Sequence, residues 1–508
     1  MVGTEIASLQ ALSSGRLTGQ TDLNTDDRSN GGRADGQLPI QPGRSLGPFG
    51  IPPALWLLWI VYVLTASGRV GNQDVEVTLG MSRAMLEGRV EFPQRISGAV
   101  RGQGGIWTSP YGVGHSLYLT PYLGVGRAAA RVVPKLPSVM WEEFVVSFSN
   151  VPVIAGLMAY LVAAWRRMGA TEARVAVGVG VFGLCSMLWP YAKLPFSDSL
   201  LALSVFAAWF HWTHGAARKD ALFGGLWLGA ALVSRRQADA VAPILVLLAG
   251  VDAWRRGNPR RMGWLLLGLV PAVALRLAFN WARFGDLFLE QHPGLAGVRE
   301  VLRSTPTARL WEVLFSSNNG FLPYNLTPVV VFLAGVAGLW RCRRNDAVVA
   351  LAMLVGGIGF LSLMRFGSGV SFGSRYLLYT VAFLGLAWPF VPRPQRSWVW
   401  WSWGPMVAGS LWLMAGGAAL DSVPVMYRVE ASKAPLRQWK GLYGEWGRVL
   451  STDGRSDLPE LESNFIWRHD AFRRPDFWWW HLAARFRTGG LVQGGQAQPG
   501  TVPERTAR

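Results

Sequence analysis

Charge is scarce in this chain. Only 16% of its 508 residues are Asp, Glu, Lys or Arg, where a soluble protein carries about a quarter. Acids are the scarcer sign: 31 against 49 bases, a net charge of +18. The basic residues lie between long uncharged apolar runs and form no patch on a polar surface, which argues against nucleic-acid binding. Cysteine is nearly absent. Cys185 and Cys342 are the only two, so a disulfide scaffold is excluded. The six histidines are scattered and show no metal-ligand spacing. No glycine loop ends in Lys-Ser or Lys-Thr, so ATP-driven transport has no engine. No Gly-x-Ser-x-Gly hydrolase elbow stands out. Half of the residues are hydrophobic, which rules out disorder for most of the chain.

What is present is apolar length. A helix needs about 20 apolar residues to cross a bilayer, and mean hydropathy is +0.23. Eleven candidate spans can be marked, approximately 50–67, 144–164, 175–191, 198–214, 221–235, 238–254, 262–282, 321–340, 346–364, 374–391 and 397–418. The pair near 221 and 238 is short and reads equally as one broken hairpin. The 26 tryptophans suit a protein with two membrane–water interfaces to populate. The expected fold is an all-α integral membrane protein with three regions. Residues 1–46 form a disordered cytoplasmic tail, 47–418 the polytopic domain, and 419–508 an exterior tail.

Orientation follows from Lys and Arg in short loops. With the N-terminus inside, fourteen basic residues fall in five short inner loops, among them Arg166, Arg167, Arg255, Arg256, Arg343 and Arg344. This holds if 113–130, with Pro121 and Arg127, lies on the outer surface as an amphipathic segment. The large outer loop 68–143 then carries juxtamembrane helices. The C-terminal tail also falls outside, and docking through Phe477-Trp478-Trp479-Trp480 is its simplest role.

Polar groups at span ends are functional candidates by default, because burying charge near hydrocarbon is costly. Asp74 stands where a helix would start, as an N-cap. Val75, Leu79 and Leu86 follow at helical spacing, with Gly88 as a stop. A capped surface helix would explain that stretch without any chemistry. Trp189-Pro190-Tyr191-Ala192-Lys193-Leu194-Pro195-Phe196-Ser197-Asp198 joins two spans on the same side, so topology brings Asp198 to the side of Asp74. Arg235, Arg236, Arg276 and Arg375 are also outer, against the positive-inside bias. Arginine suits phosphate through its bidentate fork, although each alone could snorkel or pair with Asp239 or lipid headgroups.

These segments resemble the C-type polytopic glycosyltransferases that use polyprenyl-phosphate sugars. The likeness is to the bacterial lipopolysaccharide galacturonosyl, aminoarabinose and protein O-mannosyl transferases. It rests on Asp74 with Ser82-Arg83-Ala84-Met85-Leu86-Glu87-Gly88, on Ser109-Pro110-Tyr111-Gly112-Val113-Gly114-His115, and on Trp189 to Asp198. It extends through Asn280-Trp281-Ala282-Arg283-Phe284-Gly285, Leu314-Phe315-Ser316 and Ser371-Phe372-Gly373-Ser374-Arg375-Tyr376. The family's second acid after the first is here Val75, with Glu76 the nearest carboxylate, which weakens a two-acid metal site. Trp478-Trp479-Trp480-His481 is not the Trp-Trp-Asp motif of oligosaccharyltransferases.

The resemblance implies inverting transfer on the exterior face of the inner (plasma) membrane. Asp74 would be the general base and Asp198 a second acid near the site. Arg375, Lys193, Arg235 and Arg236 would meet the donor phosphate, and Glu76, Tyr111 and His115 the substrates. The partners implied are a polyprenyl-phosphate sugar, a glycan, lipid or protein acceptor, and membrane lipid. No cofactor is required, and a divalent metal is neither demanded nor ruled out. A transporter or flippase of a lipid-linked saccharide shares the spans and basic groups but would favour broken midplane helices. A structural subunit would leave Asp74 and Asp198 dispensable.

Overall fold

The computed structural model describes residues 51–70, 73–96, 98–134, 137–288, 306–316, 320–363, 373–392, 397–419 and 477–479. The expected N-terminal tail, residues 71–72 and 371–372, and nearly all of the C-terminal tail lie outside them. Among the described residues the fold is helical, with one two-stranded ribbon, Val100–Arg101 against Trp107–Thr108. Both cysteines are free.

The first helix, α1 (Pro53–Thr65), starts at proline, whose fixed φ and missing N–H suit the first turn. α2 (Gln73–Leu86) follows. It begins one residue before the expected cap, so Asp74 lies in the first turn instead. Its side chain is thereby free to point into tertiary contacts. Gly88, with φ +72°, ends it as expected. After the ribbon, α3 (Val113–Val132) runs unbroken through Pro121 and packs against α2 and against α4 (Ser138–Ser147).

The bundle continues with α5 (Asn150–Arg167), α6 (Glu172–Leu184), α7 (Leu188–Lys193) and α8 (Ser197–His214). Next come α9 (Arg218–Ser234), α10 (Ala238–Arg255) and α11 (Pro259–Phe284). The remainder is α12 (Pro306–Phe315), α13 (Phe321–Tyr324), α14 (Leu326–Cys342), α15 (Arg344–Leu363), α16 (Leu378–Gly385) and α17 (Ser397–Ala419). The main core gathers residues of α5, α8 and α16, including Trp165, Phe206 and Phe383, all essentially buried.

Among the described residues three runs are long and apolar enough to cross a bilayer: Ser138–Arg167, Pro259–Phe284 and Arg344–Leu363. Pro53–Thr65 and Leu326–Cys342 are apolar but shorter. The eleven expected spans therefore do not appear as eleven full-length helices. The expected span 175–191 is split after Leu184, with α7 resuming at Leu188. The one over 374–391 is a short helix flanked by 3-10 turns. The pair near 221 and 238 is two helices, separated at Arg235–Gln237.

α9 and α11 approach unusually closely. A Cβ on Gly225 would meet the Leu265 carbonyl at 2.0 Å, and one on Gly268 would meet Leu222 O at 2.3 Å. Small residues allow such backbone contact between apolar helices. Arg235 caps the end of α9 and Arg283 lies in the last turn of α11. This glycine seam thus sets the distance between two arginine-bearing ends.

Candidate active site

The first turn of α2 presents Asp74 to two partners. The Tyr111 hydroxyl donates to Asp74 Oδ1 at 2.6 Å. Arg375 Nη1 lies 2.9 Å from Asp74 Oδ2. Burial pushes the Asp74 carboxyl up, but the charges of Arg375 and Arg235 and the Tyr111 hydrogen bond outweigh it and hold it below the usual range. Burial and the neighbouring Asp74 charge push the Tyr111 phenol well up, so it stays protonated and donating.

Asp198, in the first turn of α8, makes a parallel pair. Its Oδ2 is 3.2 Å from Arg235 Nη2. Arg235 also donates to Ser197 Oγ at 2.8 Å and to Gln237 Oε1 at 3.0 Å. Neither Asp198 oxygen has an aligned hydrogen-bond donor among the described residues. Asp198 has no exposed side-chain surface, whereas Asp74 keeps 27%. Arg375 stacks on Phe196 and Tyr376, 5.1 Å from each ring, and Arg235 lies 5.4 Å from the Tyr376 ring. Two carboxylates and two guanidiniums are thus alternated against an aromatic wall. Paired burial of this kind meets the desolvation cost that either charge alone could not.

The other expected site residues fall around this cluster or away from it. His115 is buried in the first turn of α3, its ring stacked 6.5 Å from Tyr118, with Nε2 unpartnered among the described residues. Burial, reinforced by Arg235, pushes its pKa down to about 3, so the ring is neutral. Glu76 is half-buried and its carboxyl is raised by burial, against the pull of Arg83. Lys193 is buried and donates to Ala418 O at the end of α17, 3.2 Å away. Arg236 is half-buried beside Arg235. Arg276 forms a two-armed pair with Asp239, Nη2 to Oδ2 being 2.8 Å. That pairing is the ordinary alternative weighed for it.

Two features escaped sequence reasoning. Glu142, buried on α4, receives Arg83 Nε at 2.7 Å and Arg127 Nε at 2.9 Å. It ties α2, α3 and α4 together. Nothing in its local sequence marks it, because its partners are 59 and 15 residues away. The other is Arg283, quoted above in a motif without any role, and buried here against the loop that carries Tyr111. Among the described residues no three His, Cys, Asp or Glu side chains gather as a metal site would need.

No family model matches this chain, and no curated protein sequence matches it. Among solved structures it is similar to ArnT from Cupriavidus metallidurans bound to undecaprenyl phosphate. The two are 15% identical over 77% of this chain and 75% of that one, with a TM-score of 0.46. The apo form of the same ArnT is 14% identical over 77% and 74%, also with a TM-score of 0.46. The apo Archaeoglobus fulgidus oligosaccharyltransferase is 12% identical over 83% of this chain and 60% of its own, with a TM-score of 0.40.

Proposed function

We propose that this chain is a membrane glycosyltransferase that takes a sugar from a polyprenyl-phosphate donor and passes it, with inversion, to an envelope hydroxyl on the exterior face of the plasma membrane. The observation that carries the reading is the alternation of Asp74, Arg375, Asp198 and Arg235 in one partly open cluster. The acceptor O–H gives its proton to Asp74, and its oxygen bonds to the anomeric carbon. The bond from that carbon to the phosphate oxygen breaks, and its electron pair leaves with polyprenyl phosphate. A single displacement inverts the centre.

Each residue has a separable task. Asp74 is the exposed carboxylate of the two, so it is the base. Asp198 is enclosed and acts through Arg235, which it holds in place. Arg235 and Arg375 receive the negative charge that grows on the leaving phosphate. While Arg375 is paired with Asp74, the base is weak. A donor phosphate that takes over Arg375 loosens that pair and restores basicity, so proton abstraction waits for the donor.

The test is Asp74→Asn in membranes supplied with lipid-linked sugar. Loss of a positioned base is expected to slow transfer by roughly 10²–10⁴-fold. Transfer near the wild-type rate would remove Asp74 as the base.

A further inference from the structure

Arg283 is a buried cation to which the mechanism above gives no task. Its side chain is among the largest fully enclosed in the protein. It leaves the last turn of α11 sandwiched by aromatic rings, its guanidinium 4.0 Å from the Phe279 ring centre and 4.7 Å from that of Phe284. Its Nη2 donates to Asn280 Oδ1 at 2.8 Å. Its Nη1 donates to two backbone carbonyls, Ser109 O and Tyr111 O, the latter at 3.0 Å. Those carbonyls bracket Pro110, in the turn where Tyr111 N also donates to Ser109 Oγ at 3.0 Å. The backbone of α11 also presses on the ribbon that precedes this turn: a Cβ on Gly102 would meet Arg283 O at 2.4 Å. Gly285, at φ +67°, lies against Gln103. Burying a guanidinium without good hydrogen bonds costs several kcal/mol. Here Nε and Nη2 bond to Phe279 O and Asn280 Oδ1 on its own helix, while Nη1 is given to the backbone of one turn, and that turn carries the hydroxyl that reaches Asp74.

We propose that Arg283 is a positioning residue, whose guanidinium holds the Ser109–Tyr111 turn so that the Tyr111 hydroxyl stays on Asp74. It deepens the reading above, since it rests on Asp74 being the reactive carboxylate. Among the described residues Arg283 bonds to neither acid of the cluster, and its link to Asp74 runs through the Tyr111 turn. Among the described residues the groups facing Asp74 include Arg375, Arg235, Tyr111 and Asp198 from neighbouring elements, with Glu76 on its own helix. Freeing the Tyr111 hydroxyl removes one stabilising bond from the ionised carboxylate and leaves both arginines in place. The protonated form of Asp74 then persists to higher pH.

The experiment reads Asp74 directly, without turnover. The purified full-length protein in detergent is treated with a hydrophobic carbodiimide, which reacts with protonated carboxyls, across a pH series. Labelling of the Asp74 peptide is quantified by mass spectrometry. Tyr111→Phe is expected to move half-labelling to higher pH, and Arg283→Gln to move it the same way by the same amount. The double variant is expected to add nothing further. Asn280→Ala, which keeps the cation but loosens its second arm, should give a smaller shift in that direction. Trp281→Ala, at an exposed neighbour, should give none. If Arg283→Gln does not yield folded protein, Asn280→Ala and Tyr111→Phe carry the comparison. Wild-type labelling in a folded Arg283→Gln, no shift in Asn280→Ala, or additive shifts in the double variant would overturn the proposal. Because no sugar transfer is measured, a failed Asp74→Asn assay sinks the functional reading while leaving this result standing.

Discussion

Asp74 and Arg375 make the clearest case for chemistry at the level of single residues. The depressed Asp74 carboxyl stays ionised as pH falls through the usual carboxylate range. Activity that needs this base should therefore be flat into that range and fall only below it. The stability it contributes has the same sign: present at neutral pH and lost as pH drops through its folded value. Arg375→Gln should shift the acid limb of kcat/KM upward and raise the donor KM, both read from initial rates across a pH series. An unmoved limb would separate Arg375 from Asp74 in function. Glu142 belongs to stability instead. Glu142→Gln removes the carboxylate that Arg83 and Arg127 both bond. Both are about one-third exposed, so water recovers part of the loss. The cost should be ~1–2 kcal/mol, seen as a lower melting temperature with transfer chemistry intact.

Helices rather than side chains decide how Arg235 meets Asp198 and how Arg283 meets the Tyr111 turn. α9 ends at Arg235 and α11 at Arg283, and the two cross where Gly225 faces Gly268. Gly268→Leu would force them apart at a cost of about 1–3 kcal/mol. It should disturb Arg235 and Tyr111 together, although neither residue is changed. Thermal unfolding and the apparent donor KM, measured on the same preparation, would show this as a joint change; a loss of stability with an unaltered KM would uncouple the seam from the site. α2 shows how far local signals reach. Its apolar spacing and the Gly88 stop were legible, and so was the nearness of Asp74 to Asp198. The partner of each acid was not, because pairing across 301 residues, from Asp74 to Arg375, leaves no local trace. Arg283 sat within a quoted motif, yet only its carbonyl partners, 172 residues or more away, disclose a task.

Across the whole molecule the basic excess has two destinations. Some arginines lie in the short connections that suggested orientation, such as Arg256 on Asp252 and Arg166 on Glu172. Others lie in the acid-paired cluster. The apolar runs were legible as apolar runs; which of them form helices of full length was not. Hydropathy does not reveal that the run over 175–191 divides, because apolar residues continue across the break. For the proposed activity, cells lacking the gene should show an envelope glycan lighter by one sugar residue, measured by mass. An unchanged glycan profile would count against the assignment of an envelope acceptor.

The C-terminal aromatics return to the beginning of the bundle. Trp478 Nε1 donates to Val63 O at 2.9 Å, Trp478 N to Ala66 O at 2.9 Å, and Trp479 Nε1 to Leu64 O at 3.1 Å. They satisfy carbonyls that a helix end leaves open, on the connection that leads from α1 to Asp74. The two indole contacts each span 415 residues of sequence. In a growing chain translated at about 5–20 residues per second, Val63 would wait roughly 20–80 s for its partner. The helix Pro53–Thr65 therefore gains these bonds only after residues 478–479 have been made, and the connection toward Asp74 is held from its far side only from then on.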